Sequence, residues 1–263
     1  MNKKEIESIP KKYSSAGLPV APALNSCPPV KEAGLPLNSA SFHKTEVRAL
    51  GKRDSNMIKD SVFTIRRGDT FHIISENYSY KTETYYSILH HELEGNNVQP
   101  SSSAILDAYI VPVCLERAKL AGIPVCAWGI SQAYIPLPAI LYGLNYFATT
   151  SDYFIVHGND EAKEVIKHIT NKGKYPFCYQ KLDEAATIHS CIGIFGKTIS
   201  PCSSIALLVK QVYEHFTLPL VTLIFVKTGD RYFLSALSPV KYSQLLPEER
   251  TLLAAYLSGQ EFL

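Results

Sequence analysis

The strongest constraint on the fold is a run of 32 residues, 120–151, that contains no Asp, Glu, Lys or Arg. Its length alone would allow a membrane-spanning helix. However, three prolines and three glycines interrupt the run, and Gln132, Asn145 and several tyrosines in it need hydrogen-bond partners. We therefore expect a buried strand, a turn and a helix at the centre of an α/β domain, and no membrane partner.

The first 60 residues differ in composition from the rest of the 263-residue chain. They carry ten Lys/Arg and six Asp/Glu, hold six of the 16 prolines, and contain only two aromatic residues, Tyr13 and Phe42. Such a segment cannot bury a core. Residues 1–60 are therefore predicted to form a disordered basic tail, and residues 61–263 an α/β domain. The net charge of the chain is only +2, which does not indicate nucleic-acid binding.

A near-repeat lies within the predicted tail. The motif Ala-Gly-Leu-Pro occupies residues 16–19 and again 33–36, and Leu-Asn-Ser follows each copy. One interpretation is a low-complexity tail whose copies have drifted apart. The other is a short docking motif that is used twice.

The six cysteines are widely spaced and fall mostly inside apolar runs. There is no Cys-x-x-Cys pair and no zinc-type Cys/His spacing, so neither a metal site nor a cofactor is predicted. Buried thiols are typical of a reducing compartment, and a cytoplasmic location is expected. Cys202 follows Pro201 at the start of a predicted helix, where its pKa would be lowered, which makes it the best candidate for a reactive thiol.

Strand and helix patterns alternate along most of the remaining sequence. Strands are predicted at residues 69–75, 97–100, 122–128 and 153–156, and helices at 82–94, 104–120 and 159–170. This alternation predicts a mixed, largely parallel sheet flanked by helices. A strand at 188–195, a helix at 201–216, a β-hairpin around Gly229-Asp230 and a final helix from about residue 246 complete the domain.

Two blocks of motifs carry a family resemblance. The first, about 70–101, has a strand, an aromatic-polar turn, a helix with a Tyr-Tyr pair and a short strand ending in Pro-Ser. The second, about 190–250, contains the hairpin and the Leu-Pro-Glu-Glu start of the final helix. Together they resemble the RimK-like ATP-grasp N-terminal (RLAN) domain family. The middle segment, about 105–187, would be an insertion into that domain or an extension of it.

The resemblance implies a function linked to ligation. In that family the domain usually precedes an ATP-grasp ligase, which joins a carboxylate to an amine through an acyl phosphate. This chain ends about where the ligase would begin, and no Gly-rich phosphate loop follows a strand, so a ligase core is expected to be missing. We therefore expect a non-catalytic recognition or accessory module that binds a separately encoded ATP-grasp ligase or an amino-acid or peptide ligand.

A polar loop follows the first predicted strand, at the edge where ligands bind in open α/β sheets. It contains Glu76, Asn77, Tyr78, Tyr80 and Lys81. Glu76 would pair with an amine, and Asn77 and Lys81 with a carboxylate, which suits an amino-acid-like ligand. The alternative is a loop bonded within itself, whose tyrosine rings cover the core.

The predicted strand at 122–128 ends at Trp128, and Ser131, Gln132 and Tyr134 follow it. The same geometry would place these side chains at the same edge of the sheet, with Trp128 forming a pocket wall. The alternative is that they pack into the core and Ser131 caps a helix.

His157 follows the strand at 153–156 and is a candidate general base, although a capping or solvated histidine is the alternative. If Glu76, Lys81, Ser131 and His157 converge on one pocket, the chain is a free-standing enzyme that acts on an amino acid or peptide. Side chains on separate faces would refute this hypothesis. A third hypothesis is a homo-oligomer in which the uncharged middle segment forms the interface.

Overall fold

The structure is a computed structural model that describes residues 62–259 except 81 and 146. The predicted tail, residues 1–60, therefore lies outside the described residues. Within the described part, ten strands form three sheets, and six α-helices pack against them.

The first sheet contains β1 (Phe63–Arg67), β2 (Thr70–Ile74) and β3 (Asn97–Gln99). β1 and β2 form an antiparallel hairpin whose tight turn holds Gly68 at a φ of 57°, a conformation that glycine adopts without strain. Helix α1 (Glu83–Leu93) then leads to β3, which lies parallel to β2. The Thr82 hydroxyl caps α1 by accepting a hydrogen bond from a backbone N–H of its first turn.

Two helices replace the single helix predicted at 104–120. They are α2 (Ser102–Tyr109), capped by Ser101, and α3 (Val111–Leu120). Ile110 between them has an extended backbone, and Pro112 lies in the first turn of α3. The break follows from the proline, which lacks an N–H and clashes with the carbonyl of the preceding turn in a continuous helix.

The second sheet has four strands: β4 (Trp128–Ser131), β5 (Ala139–Gly143), β6 (Tyr153–Val156) and β7 (Phe177–Lys181). Their order is β4-β7-β5-β6, and every neighbouring pair is antiparallel. Helix α4 (Asn159–Ile169) connects β6 to β7 and packs on one face of this sheet through Ala162 and Ile169.

The third sheet has the order β10-β9-β8 and is antiparallel throughout. Its strands are β8 (Thr187–Ile194), β9 (Leu220–Thr228) and β10 (Arg231–Ser238). Helix α5 (Ser203–Phe216) connects β8 to β9, and α6 (Pro247–Leu257) follows the sheet.

Side-chain alternation along the strands creates four layers. On β9, Leu223 and Phe225 face a core shared with α2 and α5, whereas Ile224 and Val226 face the four-stranded sheet. On β5, Ile140 and Tyr142 face β9 and β10, whereas Ala139 and Leu141 face α4. The order is therefore helices, sheet, sheet, helix, and β5 is buried on both faces.

The predicted α/β class and the C-terminal hairpin are confirmed. The prediction of a largely parallel sheet is wrong, because β2 and β3 form the only parallel pair of strands in the described part. The reason is that β5 and β7, which were not predicted, lie between the predicted strands and reverse the chain direction. The strand predicted at 122–128 begins later than expected, at Trp128, the first residue of β4. Before it, Val125 forms only an isolated bridge with Leu234. The described residues of the uncharged run contain β4 and β5 and, apart from Leu120 at the end of α3, no helical residue, so the helix predicted within the run is wrong.

The described residues include no helix long and apolar enough to span a bilayer.

Candidate functional site

A cleft of about 450 Å³ opens where three segments of the chain meet. The first segment follows β2, the second is the junction of α2 and α3, and the third is the end of β5 with the loop behind it. The cleft is lined by residues 79–80, 105–106, 109–111, 142–145 and 148–150. A local sequence signal shapes each of these segments.

The break between α2 and α3 supplies the apolar wall. Because the helix ends at Tyr109 and restarts at Val111, the side chains of both residues and of Ile110 line the cleft. Ile105, one turn earlier on α2, is fully buried behind them. Pro112 is therefore responsible for the shape of this wall.

The loop after β5 supplies the opposite wall and is firmly anchored. The Asn145 side-chain amide donates to the carbonyl of Ile169 at 2.7 Å, at the end of α4, and its Oδ1 accepts from the Phe147 N–H at 2.8 Å. A Cβ on Gly143 would lie 3.0 Å from the Ala148 Cβ, so glycine allows the loop to fold back closely. The loop is thereby fixed in a defined position.

The loop after β2 supplies Ser79 and Tyr80. Its internal bonds are tight: the Tyr78 hydroxyl accepts from the Ser75 N–H at 3.0 Å, and Asn77 Oδ1 accepts from the Ser79 N–H at 2.8 Å. The Ser75 and Thr84 hydroxyls lie 2.8 Å apart, which ties the loop to α1. This network directs residues 79–80 to the cleft.

The described lining of the cleft carries no charged side chain. Its lining, among the described residues, consists of aliphatic and aromatic side chains, hydroxyl groups and one amide, and none of these residues is an acid or a base at neutral pH. Such a surface suits an uncharged ligand, because a charged group would be desolvated there without a counter-charge.

Two residues that line the cleft carry a buried hydroxyl group with no hydrogen-bond partner among the described residues: Tyr109, through Oη, and Thr150, through Oγ1. Tyr109 is partly exposed as a residue, but its hydroxyl oxygen is buried. Burial raises the pKa of the Tyr109 phenol, so it stays protonated and can donate a hydrogen bond. An unsatisfied buried hydroxyl costs about 1–3 kcal/mol.

The predicted loop residues have mixed outcomes. Tyr80 lines the cleft. Tyr78 is fully buried and Asn77 closes the turn, as the alternative interpretation expected. Glu76 is engaged elsewhere, because its carboxylate accepts from the Tyr242 N–H and its carbonyl from the Val240 N–H. Lys81 lies outside the described residues.

The residues predicted around β4 do not line the cleft. Trp128 packs in the core between the four-stranded sheet and the sheet formed by β8, β9 and β10. The Ser131 hydroxyl donates to the Tyr134 carbonyl at 2.8 Å and accepts from the Ala133 N–H, so it closes a turn and caps no helix. Gln132 and Tyr134 are exposed.

The predicted convergence of Ser131 and His157 is wrong. Ser131 pairs with Phe177, which pairs in turn with Gly143, whereas His157 follows Val156, which pairs with Ala139 at the other end of β5. The antiparallel order therefore places the two side chains at opposite ends of the four-stranded sheet. A parallel sheet would have brought them to one edge, which explains the error.

Cys202 precedes α5, as predicted, but it is buried and disulfide-bonded. It is therefore not a free thiolate in this structure. The described residues contain no group of three or more His, Cys, Asp or Glu side chains that could hold a metal ion.

Sequence reasoning missed Tyr109 and Thr150. Tyr109 has the pattern of an ordinary residue on an apolar helix face, and only Pro112 indicated that the helix would break beside it. Thr150 lies at the end of the uncharged run between Thr149 and Ser151, and nothing in this polar stretch distinguished it from its neighbours.

Comparison of the sequence with models of protein families gives no match, and comparison with curated protein sequences gives none.

Solved structures with a similar fold are ATP-grasp proteins. A RimK domain ATP-grasp protein from Sphaerobacter thermophilus aligns with a TM-score of 0.50 and 15% identity, over 67% of this chain and 75% of that one. A D-alanine–D-alanine ligase from Helicobacter pylori gives 0.51 and 11%, over 66% and 65%. The Bacillus anthracis D-alanine–D-alanine ligase complexed with ATP gives 0.51 and 10%, over 70% and 74%.

At these identities the similarity shows the fold alone. The aligned part spans just under two thirds of the Helicobacter pylori ligase and three quarters of the Sphaerobacter thermophilus protein. The described region therefore has an ATP-grasp-like fold.

Proposed function

We propose that this chain is a non-catalytic recognition module of ATP-grasp-like fold, which binds an uncharged peptide segment in its cleft and assists ATP-grasp-type peptide or amino-acid ligation. The observation that carries the proposal is the pair of buried, unpartnered hydroxyls, Tyr109 Oη and Thr150 Oγ1, in a neutral cleft. The fold similarity supports the link to ligation.

The chemistry of the cleft matches a peptide backbone. A protonated phenol donates to a carbonyl oxygen, and a threonine hydroxyl can donate to a carbonyl or accept from an amide N–H. The aliphatic side chains of Leu106 and Ile110 in the lining offer a surface for one or two apolar side chains. A volume of about 450 Å³ falls within the usual range of sites for small ligands.

A peptide segment fits better than a free amino acid. A free amino acid carries an ammonium and a carboxylate, and both need counter-charges when they are desolvated. The Glu76 carboxylate, the expected partner of an amine, instead accepts from the Tyr242 backbone. An internal segment of a peptide brings no terminal charges into the cleft.

The separation of the predicted catalytic residues supports a non-catalytic role. Ser131 is committed to its own turn, and His157 lies at the far end of the sheet, where its backbone N–H donates to the Glu161 carboxylate at 3.0 Å. A nucleophile and its base need to approach to about 3 Å.

A second candidate function is ATP-dependent ligation by this chain itself, which the fold similarity to the ATP-complexed Bacillus anthracis ligase favours. Phosphate binding depends on cationic or backbone N–H donors, and magnesium on carboxylate oxygens. The described lining of the cleft contains no cationic side chain and no carboxylate, so ligation would need such groups from another surface of the protein.

Peptide titrations on the full chain distinguish the two functions. The probes are capped heptapeptides, one series uncharged with a central leucine and a matched series with aspartate in its place, alongside Mg-ATP. We expect chemical-shift changes or calorimetric heats with the uncharged series alone. Binding of Mg-ATP with no binding of any capped peptide would contradict the proposal. Co-purification with an ATP-grasp ligase tests the accessory role separately.

A further inference from the structure

We infer that the cleft binds a segment of its own chain, residues 33–39, with the sequence Ala-Gly-Leu-Pro-Leu-Asn-Ser. This inference rests on the proposed function, because it names the peptide that the cleft recognises. Three observations carry it: the apolar rim of the cleft, the distribution of charge in residues 1–61, and the place where the chain enters the fold.

The apolar surface of the cleft continues onto its rim. Tyr80 and Ile110 line the cleft and are 55% and 44% exposed, and Phe147, between two lining residues of the β5 loop, is 82% exposed. Large apolar side chains clustered at the mouth of a cleft mark a docking surface. The described residues of this surface carry no charge, so an occupant with charged side chains would be disfavoured.

Residues 33–39 match this surface. Charged residues are frequent in residues 1–61, but the windows 13–30 and 33–43 contain no Asp, Glu, Lys or Arg, and each window holds one copy of Ala-Gly-Leu-Pro. In the second copy, Leu35 and Leu37 flank Pro36. Two leucines supply apolar area, and the proline restricts the backbone before binding, which lowers the entropic cost of docking.

The chain enters the fold close to the cleft. Phe63, the first residue of β1, pairs with Ile74, the last residue of β2. The segment that follows Ile74 leads within a few residues to Ser79 and Tyr80 in the cleft wall. The start of β1 and the loop that forms the wall are thus at the same end of the first sheet.

The connecting segment is long enough. Residues 40–61 separate Ser39 from the described fold, and 22 residues can span up to about 70 Å. The copy at 16–19 has a longer connection, so its effective concentration at the cleft is lower. For this reason the structure assigns residues 33–39, and not the first copy, to the cleft.

Self-docking has a functional consequence. A segment attached to the same chain reaches effective concentrations in the millimolar range, so a peptide from another protein must compete with it. The segment would thus set the affinity threshold for an external ligand.

Photo-cross-linking on the full chain tests the inference. Phe147 on the rim is replaced by p-benzoylphenylalanine, and the matched control carries the same group at Leu120, which is 74% exposed at the far end of α3, about 14 Å along the helix from the cleft. We expect an intramolecular cross-link from position 147 to residues 33–39, at a yield that does not change on dilution. Leu35→Asp/Leu37→Asp should reduce it at least about fivefold.

Cross-links to the first copy, to no part of residues 1–61, or only between chains would overturn the inference. A titration with the capped peptide of residues 33–39 keeps the two proposals distinguishable. We expect it to bind Leu35→Asp/Leu37→Asp at least about tenfold more tightly than the unaltered chain, because the competing segment is disabled. Equal binding to both chains refutes self-docking alone, whereas binding to neither, with no cross-link, refutes the proposed function as well.

Discussion

The hydroxyl oxygens of Tyr142 and Ser235 lie 2.8 Å apart and join β5 to β10 across the interior between two sheets. Ser235 donates its own proton to Gln180 Oε1 at 2.7 Å, so Tyr142 is the donor to Ser235. The Gln180 amide completes the network by donating to the Ser235 carbonyl at 2.7 Å. Because Tyr142 also lines the cleft, this network fixes one cleft wall to the core.

Breaking this network should cost stability. Ser235→Ala leaves the Tyr142 hydroxyl and Gln180 Oε1 buried without partners, which should lower the free energy of unfolding by about 1–3 kcal/mol in urea titrations. Tyr142→Phe in the same background removes one of the orphaned groups. The double variant should therefore lose less than the sum of the two single losses, and additive losses would contradict the network.

Arg67 should stabilise the end of α6. Its Nη2 donates to the Tyr256 carbonyl at 2.9 Å, and its guanidinium lies 5.5 Å and 5.4 Å from the ring centroids of Phe195 and Tyr256. A cation at a helix C-terminus is favourable. Arg67→Ala should reduce stability by about 1–2 kcal/mol and speed amide exchange in the last turn of α6.

The neighbouring Arg66 provides the control for that prediction. Its side chain is 64% exposed and pairs with a fully exposed Asp69 at 3.8 Å. Its other contacts, a hydrogen bond to the Gly68 carbonyl at 3.1 Å and a guanidinium 5.4 Å from the Phe71 ring centroid, are also at an exposed site, so Arg66→Ala should change stability by less than about 1 kcal/mol. Equal losses of stability in the two variants would show that the loss of one positive charge, and not the loss of the contact with α6, causes the destabilisation.

Gly129 should tolerate no side chain. A Cβ there would lie 2.6 Å from the hydroxyl oxygen and 2.7 Å from Cζ of Tyr179, its partner on β7. Gly129→Ala should therefore destabilise the protein by about 1–3 kcal/mol, measured by urea unfolding. In a Tyr179→Val background, without the ring, the same change should cost less than about 0.5 kcal/mol. A similar loss of unfolding free energy in both backgrounds would show that the added methyl group clashes with something other than the Tyr179 ring.

Stability should fall as the pH is lowered from 7 towards 5, partly because of His72. Burial and the nearby Arg67 lower the pKa of this histidine below 6.5 in the folded state. Between that lowered pKa and 6.5 the unfolded chain binds more protons, so acidification favours unfolding. His72→Gln should reduce the pH dependence of the unfolding free energy.

His189 should contribute in the same direction, since burial and Lys227 lower its pKa as well. The double variant His72→Gln/His189→Gln should therefore have a flatter profile than either single variant. Glu249, whose pKa is raised by burial, is common to all of these chains and cancels in the comparison. An unchanged slope in the double variant would contradict this account.

The sequence patterns predicted a strand well where polar residues flank an apolar run, and poorly where a strand is buried on both faces. Strand β6 was predicted at its observed bounds, because a short apolar run there is flanked by polar residues. Strand β5 was missed because Ile140 faces β9 and β10 while Leu141 faces α4. Burial on both sides removes the period of two, and an apolar run without a period does not distinguish a strand from a helix.

The site was predicted only in part, for a similar reason. Of the residues predicted in the loop after β2, Tyr80 lies in the cleft, and its role in binding stays a prediction. The role of Glu76 was not accessible, because its partner Tyr242 is 166 residues away in the sequence. Tyr109 becomes part of a cleft only through the arrangement of three distant segments. The RLAN resemblance and the cytoplasmic location stay predictions.

The most direct test of peptide recognition by the cleft is a paired measurement on Tyr109→Phe. It is made in the Leu35→Asp/Leu37→Asp background so that the chain's own segment does not compete. Removal of an unpartnered buried hydroxyl should leave the free energy of unfolding unchanged or raise it by about 1 kcal/mol. The same change should weaken binding of the uncharged capped peptide by about fivefold or more.

Thr150→Val should behave like Tyr109→Phe, whereas Tyr175→Phe, outside the cleft, should change neither quantity. Weaker binding without loss of stability in both cleft variants is the result that the account predicts. Lower stability with unchanged peptide affinity would mean that the two hydroxyls serve the fold, and would contradict the assignment of the cleft as a binding site.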